Sequence, residues 1–201
     1  MEDYDILETT DAMEMLENIH SAAERLYRLT QNFLLYAELE LTAADPDRVA
    51  ALRNSRATCE AEVTIALAAH SVADKVLRAP DLKTELQEGT VRISELKLKK
   101  IIEEIVDNAF KFSSDRTPVY LTGQLLENSY EIRVTNEGRG LTPEAIQDIG
   151  AYMQFERKLY EQQGSGLGLM IAKRLIELHG GTLTIDSIPD QKTTIQISLP
   201  L

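Results

Sequence analysis

Glycine divides this sequence in two. None of its ten glycines comes before Gly89, and eight fall between Gly138 and Gly181. Glycine is the residue that left-handed turns and close backbone approaches call for. The first part of the chain is therefore read as helical, and the second as the part that holds the tight turns.

Hydrophobic spacing fills in that outline. From about Asp11 to Leu41 the apolar residues Leu16, Ile19, Ala23, Leu26, Phe33 and Ala37 recur at helical intervals, a pattern that suits one helix packed on another. Pro46 in "ADPDR" ends this run. A second helix is predicted over roughly Arg48 to Leu77, with Val63, Leu67, His70 and Leu77 on its apolar side. "TVRIS" (90–94) predicts a short strand, and Leu98, Ile101, Ile102, Ile105, Val106, Ala109 and Phe110 predict a strongly amphipathic helix. "PVYLTGQLLENSYEIRVTN" (118–136) reads as a hairpin turning near Glu127 to Ser129, with Tyr130, Ile132 and Val134 on one face. A helix follows from about Gly166 to His179, stopped by Gly180 and Gly181. "TLTIDS" and "TTIQISLPL" close the chain as two alternating strands. The expectation is an α/β fold: a two-layer sandwich of a mixed sheet with helices on one face (46–201), preceded by an N-terminal helical arm (1–45).

Composition removes several function classes. A net charge of −12 lacks the basic footprint of a nucleic-acid binder. Cys59 is the only cysteine, so no internal disulfide can form, which suits a reducing, cytoplasmic setting. No apolar run approaches the ~20 residues of a membrane span, so no membrane contact is expected.

Three constellations carry chemistry. On the helix "KKIIEEIVDNAFKF", Glu104, Asn108 and Lys111 share one stripe opposite the apolar face. Together they suit a metal nucleotide: the Asn108 oxygen for Mg²⁺, Lys111 for phosphate, and Glu104 to orient or deprotonate an attacking group. "NEGRG" (Asn136 to Gly140) follows a strand, and its two glycines let a backbone pass close to a ring or a phosphate. In "GSGLGLMIAKRLIELHGG", Gly164, Gly166 and Gly168 alternate at a helix start, where free N–H groups and the helix dipole favour anions. The segment between the last two, "LTPEAIQDIGAYMQFERKLYEQQ", has the length and polarity of a mobile lid. Arg157 and Lys158 would reach from it over a bound triphosphate.

The order of these pieces resembles a family. Glu-x-x-x-Asn-Ala-x-Lys-Phe, then Asn136 with Gly138 and Gly140, then Gly-x-Gly-Leu-Gly-Leu, then His-Gly-Gly and a final Thr-rich strand ending Leu-Pro, look like the catalytic ATP-binding domain of sensor histidine kinases. The resemblance runs from about Arg48 to Leu201 and implies a Bergerat-type sandwich that binds ATP and Mg²⁺. It implies that Asn108 binds Mg²⁺ and that Lys111 approaches phosphate. Gly138 and Gly140 would sit by the adenine, Gly164, Gly166 and Gly168 would hold the phosphates, and Thr193 would lie near the base. "IHSAAERLYRLTQNFLLYAELE" is similar to the second helix of the family's dimerisation and phosphotransfer hairpin. This implies a homodimer through the N-terminal helix and a response regulator as partner. A histidine on another hairpin helix, in the same full-length protein or in trans, would take the phosphate. None of His20, His70 and His179 is in the family's phosphoacceptor setting, and His70 is read as packed on the apolar side of its helix.

The sequence departs from the family at two positions. Lys192 stands where a Gly usually precedes the last strand. Asn136 stands where the family has an Asp that accepts a hydrogen bond from the adenine amino group. An amide can still accept there, and can also donate, but without charge assistance. Two functions compete on these residues. One is the ATP-binding catalytic domain of a two-component histidine kinase, with Glu104 assisting transfer. The other is a pseudokinase-type binding and dimerisation module with weak or no ATP binding.

Overall fold

The computed structural model describes residues 3–142, 146 and 167–201, with side chains described from residue 11. Helix α1 (Asp3–Ala43) is followed by the short helix α2 (Pro46–Arg53). Asp45 caps α2, its Oδ1 accepting from Asp47 N and Arg48 N at 3.0 and 3.2 Å. Pro46 takes the first helical position, where an N–H would have no helical partner anyway. "ADPDR" thus starts a helix as well as stopping one.

The helix expected over Arg48 to Leu77 is two helices. Asn54 closes α2, a two-residue strand β1 (Cys59–Glu60) follows, and α3 spans Ala61–Lys75. The buried side of α3 also differs from the expected one. It consists of Ala61, Thr64, Ile65, Ala68, Ala69, Val72 and Ala73. Val63, Leu67 and Leu77 are exposed, and so is His70. The small side chains let α3 lie close to α4 (Glu95–Phe112), the helix it packs against. A stripe of larger residues would hold the two axes further apart.

After α3, a 3₁₀ turn (Ala79–Asp81) leads into β2 (Leu82–Leu86), a strand that the hydrophobic pattern does not announce. β3 (Thr90–Val91) pairs antiparallel with β1. The hairpin forms as expected, from β4 (Val119–Leu125) and β5 (Ser129–Glu137), and Leu126 N bonds Ser129 O across its turn at 2.8 Å. Helix α5 (Leu167–Leu178) precedes β6 (Thr182–Ile188) and β7 (Lys192–Pro200). The five-stranded sheet has the order β2-β4-β5-β7-β6. β2 runs parallel to β4, and the other neighbours are antiparallel. This is the mixed sheet of the expected α/β sandwich.

One core lies between the sheet and the helices α3, α4 and α5. Tyr130, Ile132 and Val134 of β5 meet the apolar stripe of α4 from Leu98 to Phe110, and Ile195, Ile197 and Leu199 of β7 belong to the same core. The alternate residues Tyr120 and Arg133 are exposed on the far face. Arg78, just after α3, fastens the end of α4. Its guanidinium donates to Phe110 O, Ser113 Oγ, Ser114 O and Thr117 O at 2.8–3.1 Å. It also pairs with Asp81 at 2.7 Å and lies 5.0 Å over the Phe110 ring.

The last part of α1 is docked on this sandwich. Asn32 and Leu39 are buried. Arg174 of α5 donates from Nε and Nη2 to the two carboxylate oxygens of Glu40 at 2.7 and 2.8 Å. Arg28 is 3.9 Å from Asp107 of α4. Leu16, Ile19, Leu26 and Phe33, the stripe read as a helix-packing seam, remain exposed. Among the described residues, no helix is long and apolar enough to cross a membrane.

Candidate functional site

Helix α4 presents the expected stripe because its other side is locked into the core. Glu104 and Asn108 are half-buried, and Lys111 is exposed. Glu104 does not stand alone. Lys100, one turn earlier, pairs with its Oε1 at 2.5 Å and also donates to Asn32 Oδ1 of α1 at 2.9 Å. Gly168, in the first turn of α5, lies directly over the Glu104 carboxylate, where a Cβ would collide with it. The two outer motifs thus meet at one point. Lys111 lies 5.0 Å from the Phe112 ring, and Arg139 lies 4.9 Å from the same ring.

The end of β5 forms the second wall. Asn136 continues the inward-facing row of Tyr130, Ile132 and Val134, and is only 5% exposed. Its strand neighbours are Val119 and Thr193. The Nδ2 of Asn136 is buried without a hydrogen-bond partner, the one such side-chain atom among the described residues. Most buried polar atoms are satisfied, so an orphan calls for a reason, such as a ligand group that completes it. Beside it, Thr193 is also buried, and its hydroxyl is 2.8 Å from Ser187 Oγ of β6. Ser187 further accepts from Leu141 N at 2.8 Å and reaches Lys192 O at 3.2 Å.

The geometry gives Gly138 and Gly140 a local reason to be glycine. Gly138 bridges to Ser113 and lies against the Phe112 carbonyl, so a Cβ there would meet fixed backbone. Gly140 has φ +67° and presses on the β6–β7 turn, where a Cβ would come within 2.6 Å of Ile188 O. These contacts hold the "NEGRG" turn between the end of α4 and the end of β6. Lys192 opens β7 with its side chain exposed. The positive φ in that turn falls on Asp190 instead.

The structure therefore brings Asn136 beside Thr193, Gly168 onto Glu104, and Gly138 beside the Lys111–Phe112 end of α4. Arg157, Lys158, Gly164 and Gly166, with most of the expected lid, lie outside the described residues. Sequence reasoning did not find Lys100, Arg139 or Ser187. Lys100 carried a signal, since it stands four residues before Glu104 on one helix. Arg139 lay inside the "NEGRG" stretch, but nothing in the sequence set it against Phe112, and Ser187 carried no signal, because only the fold brings it to the site. His20 is exposed, 3.3 Å from Glu24. His179 is buried, with Nδ1 2.7 Å from Leu175 O.

The donor set can be compared with what a magnesium nucleotide needs. Among the described residues there is no group of three His, Cys, Asp or Glu that could hold a metal by itself. Mg²⁺ keeps several waters and commonly takes few protein ligands together with substrate phosphates. One amide oxygen, from Asn108, fits that mode. The orphan amide of Asn136 fits a heterocycle edge.

Comparison with known proteins identifies the family of this domain. The model of the histidine kinase-, DNA gyrase B- and HSP90-like ATPases matches residues 93–201, more than half of the chain. The chain belongs to this ATPase family. It is similar to the signal transduction histidine-protein kinase ArlS of Staphylococcus haemolyticus, 28% identical over 195 residues, covering 93% of this chain and 41% of ArlS. Among solved structures it resembles the mycobacterial sensor histidine kinase MprB, with a TM-score of 0.59 and 26% identity over 71% of this chain and 95% of that one. It also resembles the Acinetobacter baumannii histidine kinase AdeS, with a TM-score of 0.65 over 89% of this chain and 79% of that one. At 14% identity the AdeS likeness speaks for the fold alone. The ATPase-family domain is thus of the histidine-kinase catalytic type. The chain spans less than half the length of curated relatives such as ArlS.

Proposed function

We propose that this chain is the ATP-binding catalytic part of a cytoplasmic two-component histidine kinase. It would present MgATP to a histidine on a hairpin outside the chain, with a response regulator as the final acceptor. One observation carries this reading: the buried, unpartnered Nδ2 of Asn136 at the end of β5, beside Thr193. In this reading Asn108 holds Mg²⁺, while Lys111 faces the phosphates. Asn136 and Thr193 meet the base, and Gly138 and Gly140 keep the adjoining turn narrow. Gly164, Gly166, Gly168, Arg157 and Lys158 would attend the phosphates. Glu104 would orient the attacking imidazole or take its proton through Oε2, since Lys100 holds Oε1. The exposed apolar seam of α1 supports a homodimer formed through that helix.

A second reading has an observation of its own. The tie from Asn32 through Lys100 to Glu104 holds the would-be base against α1, as suits a pseudokinase-type binding module. Calorimetry separates the two. The first reading expects heat on titrating millimolar MgATP into the wild-type chain, and loss of that heat in Asn108→Ala. No heat with the wild type selects the binding module.

A further inference from the structure

The buried polar groups at the end of β5 and the start of β7 have no fixed hydrogen-bonding sign. Asn136 carries both a donor and an acceptor on one amide. Its Nδ2 has no partner that would hold the amide one way round. Turning the amide by half a revolution exchanges the two atoms at nearly constant shape. The neighbouring hydroxyl behaves likewise. In the Ser187–Thr193 pair at 2.8 Å either oxygen can be the donor, because Ser187 can also direct its proton to Lys192 O. Thr193 can therefore present either a lone pair or a proton to the pocket. An aspartate in place of Asn136 would only accept. It would suit the amino group of adenine and repel the carbonyl oxygen of a 6-oxopurine.

Resting on the reading of this pocket as a nucleotide site, we propose that it does not discriminate strongly between 6-aminopurine and 6-oxopurine nucleotides. Asn136 is then the specificity-determining residue. With adenine the amide oxygen accepts from the 6-amino group and Nδ2 donates to a ring nitrogen. With hypoxanthine the turned amide donates to O6 and accepts from N1–H. Either way the buried donor is satisfied. A site built around a fixed sign rejects the wrong analogue because its own buried groups are left unpaired. This site avoids that penalty with both.

The test is the affinity of MgITP relative to MgATP, because these differ only at the 6-position edge. Each is titrated by calorimetry into the wild-type chain and into Asn136→Asp. The expected result is a Kd ratio within about 10-fold for the wild type, the range that one ordinary hydrogen bond spans. In Asn136→Asp the ratio should widen to roughly 100-fold in favour of ATP. MgATP binding with MgITP weaker by about 100-fold or more in the wild type overturns this inference alone. An unchanged ratio in a folded Asn136→Asp also overturns it. If the aspartate variant does not fold, the wild-type ratio decides. Failure of both nucleotides to bind the wild type overturns the nucleotide-site reading itself.

Discussion

The Glu104 carboxylate of α4 is held by the Lys100 ammonium at 2.5 Å, and the same ammonium reaches Asn32 of α1 at 2.9 Å. A single cation thus joins the stripe of α4 to the N-terminal helix. Lys100→Met removes it and leaves a carboxylate and a buried amide without their partner. Glu104 keeps some solvent, so the expected loss is about 1–2 kcal/mol, below that of a fully buried pair. Asn32→Ala in the Lys100→Met background should add little. Denaturant unfolding of the four members of this cycle checks the coupling, and strict additivity would show that Lys100 does not bridge the helices.

Arg78 makes a stronger expectation. Its side chain is 13% exposed, and its guanidinium gathers four acceptors at the end of α4 together with Asp81. Arg78→Ala should destabilise the chain by about 3–5 kcal/mol, as when one partner leaves a buried pair. Arg78→Lys should recover less than half of that, since an ammonium cannot serve a planar fork of acceptors. Full recovery by lysine, read as the denaturation midpoint, would mean that charge alone matters there.

The glycines separate structural from chemical roles. At Gly138 a methyl group would strike the fixed carbonyl of Phe112, whereas at Gly168 it would strike the movable end of Glu104. Gly138→Ala should cost about 1–3 kcal/mol, the usual range for overpacking. Gly168→Ala gains up to ~1 kcal/mol of helix propensity, which offsets the displacement of one side chain. Its thermal midpoint should stay near that of the wild type. A larger loss at Gly168 than at Gly138 would reverse this assignment.

His179 sets a pH dependence. Burial pushes its pKa below the ordinary 6.5, and the Lys97 ammonium near Nε2 acts in the same direction, against the bond to Leu175 O. The facing charges are Lys97 and, beyond it, Glu38. A lowered folded-state pKa means that the unfolded chain binds the proton first. The stabilisation is complete above about 6.5 and is lost as pH falls through the lowered folded value. Unfolding free energies at pH 8, 6.5 and 5 should therefore fall more steeply in the wild type than in His179→Gln. Parallel curves would remove His179 as the cause.

By itself the sequence determined the elements with a strong period and the order of the motifs. The α4 stripe from Leu98 to Phe110, the β4–β5 hairpin and the last two strands were legible because one face of each is apolar at a regular interval. Gly180 marked its helix end for a local reason as well, with φ +79°. Tertiary structure decided what the period could not. On α3 two stripes compete, and the alanine stripe won because α4 lies close. β2 became a strand through its parallel pairing with β4, since only Leu82 of its five residues is fully buried. The partners of Glu104 and Asn136 were likewise out of reach of the sequence. Asn32, Gly168, Thr193 and Ser187 are distant along the chain, and only packing of α1 and α5 on α4, and of β6 and β7 on β5, brings them to those two side chains.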